Sequence, residues 1–460
     1  MEQKVIEFMK EIGFSDAYDS AQENRVSKWL KWYKGKTEEY NYFVYNGQKK
    51  TKQSLKSLNI IPQACGDLSD FYFNEKLDIT IDNETLDKEI ADLLKKNSFL
   101  KRANKNMQLV KALGTGAVVP YLDKGVLKLN FFNATNIVIL DTEDDEVTSV
   151  LFYTVKKIGK RKKLKINAHI KDDGGYTIYN RSYVTADEGK TWIREDLGEI
   201  EQIRNTTETP LFAMFFTPEV NNEDIDSPYG ISCFARSLDT VLTIDRTYDT
   251  YDNEVWLGRK RVYIKGGAAK FNTDQNGNIS PIFDASDTVY YQVPGSENDP
   301  MIEESKFDLR IDQIKNALQG HLNLFTSQVG LGHNYYKFQD GQVYVNTDNV
   351  ISSNSDVYRK IQKQENIITS AINSLCHAMA ILLNHTEDFS VSVFYDDSII
   401  EDTKETRLQA QTEYGLQLIS KVQYYKDVYK LGESEAQKFA DQMNQEILKY
   451  TLTQGSEPIE

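Results

Sequence analysis

The chain has 460 residues, and its 69 acidic side chains outnumber 54 basic ones, for a net charge of −15. That balance excludes a tight electrostatic clamp on nucleic acid, whose affinity comes from neutralising phosphates with Lys and Arg. It is compatible with a surface past which a polyanion slides, because like charge keeps the polymer mobile. Hydrophobic residues at 40% and aromatics at 11% are enough for two or more packed domains and for large interfaces.

Three cysteines, Cys65, Cys233 and Cys376, lie far apart without a CxxC spacing. They read as reduced core residues of a cytosolic protein, not as a disulfide framework. The first residues, MEQKVIEFMKEIGF, form a short acidic amphipathic helix without a signal-peptide core. The sequence has no apolar run of 18 residues, so a soluble chain without its own membrane anchor is expected.

Residues 1–110 read as helices, interrupted by a hairpin-like turn at Asn46-Gly47. From 117 to 220 the character switches to strand. VLKLNFF, NIVIL, VTSVLFYTV, KLKINAHI and GYTIYNRSYV are β-branched and aromatic runs separated by Asp, Gly and Asn turns. A long helix is predicted over 230–257, opened by Pro228 and Gly230. Its apolar stripe is Ile231, Phe234, Leu238, Leu242, Tyr248, Tyr251 and Val255, and its opposite face carries Asp239, Asp245, Asp249 and Asp252. Some 26 residues of helix span about 39 Å. Gly258 ends it beside Arg259, Lys260 and Arg261.

A β-rich and loop-rich segment follows over 259–307, then a helix over 309–329 with Ile311, Ile314, Leu318, Leu322, Phe325 and Val329 on one face. After a polar stretch, a second long helix runs over about 355–384, with Ser353 and Asp356 spaced as a capping box. Val357, Ile361, Ile368, Ile372, Leu375, Met379 and Leu382 form its buried stripe. A strand at Val391 to Tyr395 precedes a helical region over 402–452, in which Gly432 ends one helix and Ser434 starts the next. The order helix, β insertion, helix carries the insertion out to one end of the molecule and back.

Catalytic chemistry finds little support. Gly114-Thr115-Gly116 lacks the GK[ST] ending of a phosphate loop and runs from helix into strand, so it reads as a helix-ending turn. Asp396 and Asp397 follow a strand as nuclease metal ligands do, but such a site needs further carboxylates from other strands, and a helix-capping strand end is the simpler reading. The five histidines contain no HExxH spacing, and GxSxG is absent. No enzyme activity, cofactor or metal is expected. The run KKIGKRKKLK, Lys156 to Lys165, is the densest positive cluster. In an acidic chain it reads as a solvated hairpin tip or a subunit contact before a nucleic-acid grip.

Several stretches together resemble the portal proteins of long-tailed double-stranded DNA bacteriophages of Gram-positive hosts. They are WLKWYKG (Trp29 to Gly35), SLNIIPQACGDLSDFYFNEKLDI (Ser57 to Ile79), KALGTGAVVPY (Lys111 to Tyr121), the segment Asp226 to Arg261, SDVYRK (Ser355 to Lys360) and VFYDDSII (Val393 to Ile400). Their order and spacing carry the resemblance from Trp29 to Gly432.

It implies an α+β subunit with a mixed helical and β wing (1–229), a stem helix (230–258), a β-rich clip (259–308) and a returning stem helix (309–329). A tunnel-loop region (330–358), a further wing segment (359–400) and a helical crown (401–460) complete it. A homo-oligomeric ring of twelve is implied, a channel for packaging and ejecting DNA. The implied partners are terminase, scaffolding protein, major capsid protein and a head-tail adaptor, with DNA held weakly and non-specifically, in the virion and in the host cytoplasm during assembly. Arg259, Lys260, Arg261 and Lys265 then fall at the start of the clip, where repetition around a ring makes a positive belt. Lys337, Gln339, Ser353, Asn354, Arg359 and Lys360 are the candidates for facing DNA. The alternatives are another ring-forming head-completion or connector protein and a metal-dependent DNA-processing enzyme.

Overall fold

The computed structural model describes residues 2–258 except 46–48, 75–76, 160, 188 and 190. It also describes 308–395 except 340–341, 346–353 and 386–387, then 410–429, 436–441 and 443, and five strands between 259 and 307. In chain order the N-terminal part gives α1 (Gln3–Glu11), α2 (Ser20–Tyr33), β1 (Asn41–Tyr45), β2 (Lys50–Ser54), α3 (Ile60–Asp70), β3 (Asp78–Ile81), α4 (Glu84–Lys96) and α5 (Phe99–Leu113). Two of these helices start on side-chain caps that satisfy free backbone donors. Asp19 accepts from Ala21 and Gln22, and Asn83 from Thr85 and Leu86. α2 buries Val26, Trp29 and Trp32, so the aromatic pair in WLKWYKG is core.

The middle of the chain forms two antiparallel sheets. β4 (Thr115–Asp123), β5 (Val126–Asn133) and β12 (Ala213–Phe216) make one, in the order β12-β4-β5. β6 (Ile137–Glu143), β7 (Glu146–Ile158), β8 (Arg161–Asp172), β9 (Gly175–Thr185), β10 (Ile193–Glu195) and β11 (Gln202–Asn205) make the other. Its order is β10-β9-β8-β7-β6, with β11 also on β9. α1 lays Val5, Phe8 and Met9 on its apolar face against Leu151, Leu164 and Ile166.

α6 covers Leu238–Leu257, and the excursion after it holds β13 (Arg261–Lys265), β14 (Phe271–Thr273), β15 (Ile279–Pro281), β16 (Tyr290–Val293) and β17 (Ile302–Ser305). The chain returns through α7 (Ile311–Val329), the hairpin β18 (Tyr336–Gln339) and β19 (Gln342–Val345), α8 (Asn354–Leu382), β20 (Val391–Phe394) and α9 (Lys421–Tyr429). β20 pairs antiparallel with β3, more than 300 residues earlier in the chain, so early and late segments share one body. The main core joins α2, α3, α5, α6, α7 and α8. The expected stripe of α8 is buried from Val357 to Met379, with Leu382 partly so. Its expected capping box lies outside the described residues, as do Gly432, Ser434, Asp396 and Asp397.

Candidate functional site: the helix pair and the segment it carries

The long helix starts later than its apolar spacing predicts. α6 begins at Leu238, after a short 3-10 turn at Ala235–Ser237, and its 20 residues span about 30 Å. Residues 230–234 are held elsewhere by hydrogen bonds. Gly230 N–H donates to Thr115 Oγ1 at 3.1 Å, Thr217 Oγ1 donates to the Ile231 carbonyl at 2.7 Å, and Cys233 N–H donates to the Lys111 carbonyl at 2.9 Å. Gly114 is the C-cap of α5 at φ +86°, and its backbone lies against that of Gly230. A Cβ on either glycine would stand 2.2 Å from the other's carbonyl oxygen. The GTG turn is therefore a helix stop and also the seat of the segment that leads into α6.

The buried face of α6 also differs from expectation. Val241 and Ile244 are fully buried, while Val255 at the far end is 49% exposed. Asp245 is buried, not on a solvated acidic face. Its carboxylate accepts from Tyr40 Oη at 2.6 Å, Ser57 Oγ at 2.9 Å and Leu58 N–H at 2.9 Å. Asp249 accepts from Lys56 N–H at 3.1 Å, and Asp252 pairs with the Lys56 ammonium. The i, i+4, i+7 spacing puts all three aspartates on one side of α6, where they tie down the ends of the β1–β2 hairpin. Burial raises the Asp245 carboxyl above its ordinary pKa, against the lowering effect of its three donors.

α7 packs against α6, and the two are clasped where the excursion leaves and returns. Arg310 grips Glu254 through Nε at 3.2 Å and a terminal guanidinium nitrogen at 3.0 Å, and its backbone N–H donates to the same carboxylate at 3.1 Å. A Cβ on Gly258 would meet Leu309 Cδ2 at 2.1 Å, so glycine lets the two strands of chain close here. Above the clasp a groove of about 310 Å³ opens between the helices, lined by Thr243, Arg246, Thr250, Gln313 and Ala317 among others.

The sequence-predicted site residues fall into three places. Arg259 and Lys260 lie outside the described residues. Arg261 and Lys265 are the first and last residues of β13, the middle strand of a three-stranded sheet with β16 parallel and β17 antiparallel. The backbone register pairs Val262 with Glu304 and Tyr263 with Glu303 of β17. An acidic strand thus lies beside the basic one, a pairing the sequence could not reveal.

Lys337 and Gln339 point outward from β18, whose alternate residues Tyr336 and Phe338 are buried. Tyr336 Oη donates to Asp67 at 2.6 Å, Gln319 spans the Tyr336 carbonyl and the Phe338 N–H, and Phe338 sits edge-on to Tyr251. Ser353 lies outside the described residues, Asn354 begins α8, and Arg359 and Lys360 are exposed in its second turn. Lys360 Nζ donates to the Ser327 carbonyl at 3.3 Å, where a cation suits the C-terminal end of α7. The hairpin and α8 thus hold these candidates on separate elements.

Sequence reasoning missed the junction beneath the helix pair. Lys111 is buried, and burial lowers its pKa. Its Nζ donates to Gln364 Oε1 at 2.7 Å and lies 4.8 Å over the Tyr72 ring. Gln364 Nε2 in turn donates to the Phe216 carbonyl at 2.8 Å, so α5, α8, β12 and the lead into α6 meet at one polar point. A lysine closing the amphipathic pattern of α5 was the only available signal.

Among the described residues no group of three or more His, Cys, Asp or Glu could hold a metal. His377 bonds the Asn373 carbonyl and stacks on Phe389, while His385 pairs with Glu89. Among those residues, too, no helix is long and apolar enough to cross a membrane. A clasped helix pair thus brackets the strands β13 to β17, carried by a mixed helical and β body. The chain belongs to the phage portal family: the family described as phage portal protein, SPP1 Gp6-like, matches residues 13–448. That is a family of structural components of the virion. No curated protein matches the chain.

Proposed function

We propose that this chain is the portal subunit of a long-tailed phage of a Gram-positive host, and that twelve copies close a ring at one capsid vertex. DNA enters through the ring under the drive of a separate terminase and leaves through the tail. The subunit positions and gates it; catalysis is not its task. α6 and α7 serve as the stem, residues 259–308 as the clip, the sheets and α8 as the wing, and 401–460 as the crown. Scaffolding protein and major capsid protein surround the ring, and a head-tail adaptor docks on the clip.

One observation carries the reading. Two long helices, clasped by Glu254 and Arg310, bracket an excursion of about fifty residues that leaves and returns at one point. A heterologous interface repeated by rotation closes such subunits into a ring. The net charge of −15 supports transit over gripping.

The test is the mass of the purified protein by light scattering, with negative-stain images of the same fraction. Twelve copies of 52.8 kDa give about 634 kDa, and a central hole is expected in that species. A compact dimer with no ring at any concentration would overturn the proposal.

A further inference from the structure

The β6–β7–β8 ladder carries opposite charge at its two ends. β7 runs from Glu146 to Ile158, roughly 40 Å at ~3.3 Å per residue. At one end the β6–β7 turn presents Glu143, Asp144, Asp145 and Glu146, all exposed, and the β8–β9 turn adds Asp172 and Asp173 beside them. At the other end the β7–β8 turn presents Lys156, Lys157, Arg161 and Lys165, also exposed.

Part of each cluster is neutralised within the protomer. Glu143 pairs with Lys171, Asp172 with Arg204, and Lys163 with Glu195. Asp144, Asp145 and Glu146 have no ion pair among the described residues, and neither do Lys156, Lys157 and Arg161. Ile158 adds 59% exposed apolar surface at the basic tip.

We propose that the basic end of this sheet in one copy docks on the acidic end of the same sheet in the next copy. The inference rests on the ring reading above and names a contact within it. A heterologous interface needs two unlike patches on one protomer, placed to reach two different neighbours. The two ends of one long strand meet that need when β7 runs along the circumference. Charge favours a second copy over nucleic acid, because a net charge of −15 opposes phosphate while each copy brings its own acidic tip. A few exposed charges in water give modest, salt-sensitive attraction. The contact therefore sets register and speeds association, and a reversed tip sets like charge against like at every interface, which opposes closure.

The test uses the full chain with two charge-reversed variants. One carries Lys156→Glu, Lys157→Glu and Arg161→Glu; the other carries Asp144→Lys, Asp145→Lys and Glu146→Lys. Each alone is expected to lose assembly, with mass falling toward the protomer, while an equimolar mixture regains it because unlike tips meet again. Lys157→Glu and Asp145→Lys singly, checked for an unchanged melting curve, repeat the comparison where a triple variant fails to fold.

If the wild type assembles and the reversals are silent, the contact is overturned and the ring reading stands. If both variants lose assembly and the mixture does not recover it, complementarity is overturned too. A basic-tip variant that keeps its mass but loses DNA retention assigns that end to nucleic acid instead. A wild type that stays a protomer at every concentration sinks ring and contact together.

Discussion

His169 is a charge-sensitive point inside the large sheet. Its ring lies among Phe152 and Phe212, its Nε2–H donates to Asn167 Oδ1 at 2.8 Å, and its buried Nδ1 has no partner among the described residues. Burial pushes its pKa down to about 3 from 6.5. The folded chain therefore refuses a proton that the unfolded chain accepts, and the stability present above pH 6.5 falls as pH drops toward 3. Between pH 6.5 and 5 the expected loss is about 2 kcal/mol, at roughly 1.36 kcal/mol per unit. Urea melts across that range should show a shallower slope for His169→Gln; an identical slope would place the loss elsewhere.

Gly114 is fixed by geometry, not charge. Gly114→Ala combines left-handed strain of ~1–2 kcal/mol with overpacking of ~1–3 kcal/mol against Gly230. A loss of roughly 2–5 kcal/mol in chemical denaturation is expected from those two terms.

At the scale of elements, α6 is held on one side by the strap of residues 40–58 and at its end by Arg310. The strap depends on Asp245, whose carboxylate satisfies Tyr40, Ser57 and Leu58 together. Because burial raises its folded pKa, ionisation opposes folding: stability is lost as pH rises from the ordinary value of about 4 to the raised one, and the loss persists above it. Asp245→Asn has no such titration. The stability of the variant minus that of the wild type should therefore increase with pH across that window, in paired melts at pH 4 and pH 7. A constant difference would mean the carboxyl does not titrate on folding. The same element shows how local bonds override periodicity. An apolar spacing that continues back to Ile231 is not helix there, because Gly230, Ile231 and Cys233 have better partners on α5, β4 and the segment after β12.

For the whole molecule, the basic residues at the start of the excursion are the part of the proposal most open to attack. Under the proposed ring, reversing Arg259, Lys260 and Arg261 to Glu should leave its mass unchanged, since the Glu254–Arg310 clasp of the helix pair is untouched. Adaptor docking or DNA retention should fall, because repeated charge around a ring adds to one potential. Normal packaging and tail joining by that variant would make the basic belt incidental. The proposed ring needs two unlike faces per copy, and the charged ends of the β7 ladder are the pair proposed for it.

The sequence alone determined which segments pair helix with strand in order, the stop at Gly114, the buried stripe of α8 and the excursion between two helices. Those follow from short-range periodicity and turn chemistry, which adjacent residues encode. It also pointed to the portal family through the order of WLKWYKG, KALGTGAVVPY and SDVYRK, which the family match over residues 13–448 bears out. Tertiary structure alone decided the late start of α6, the burial of Asp245 under Tyr40, the Lys111–Gln364 junction and the pairing of β3 with β20. Each depends on partners more than 100 residues away, and a polar residue's spacing does not say whether its partner will be water or a distant side chain.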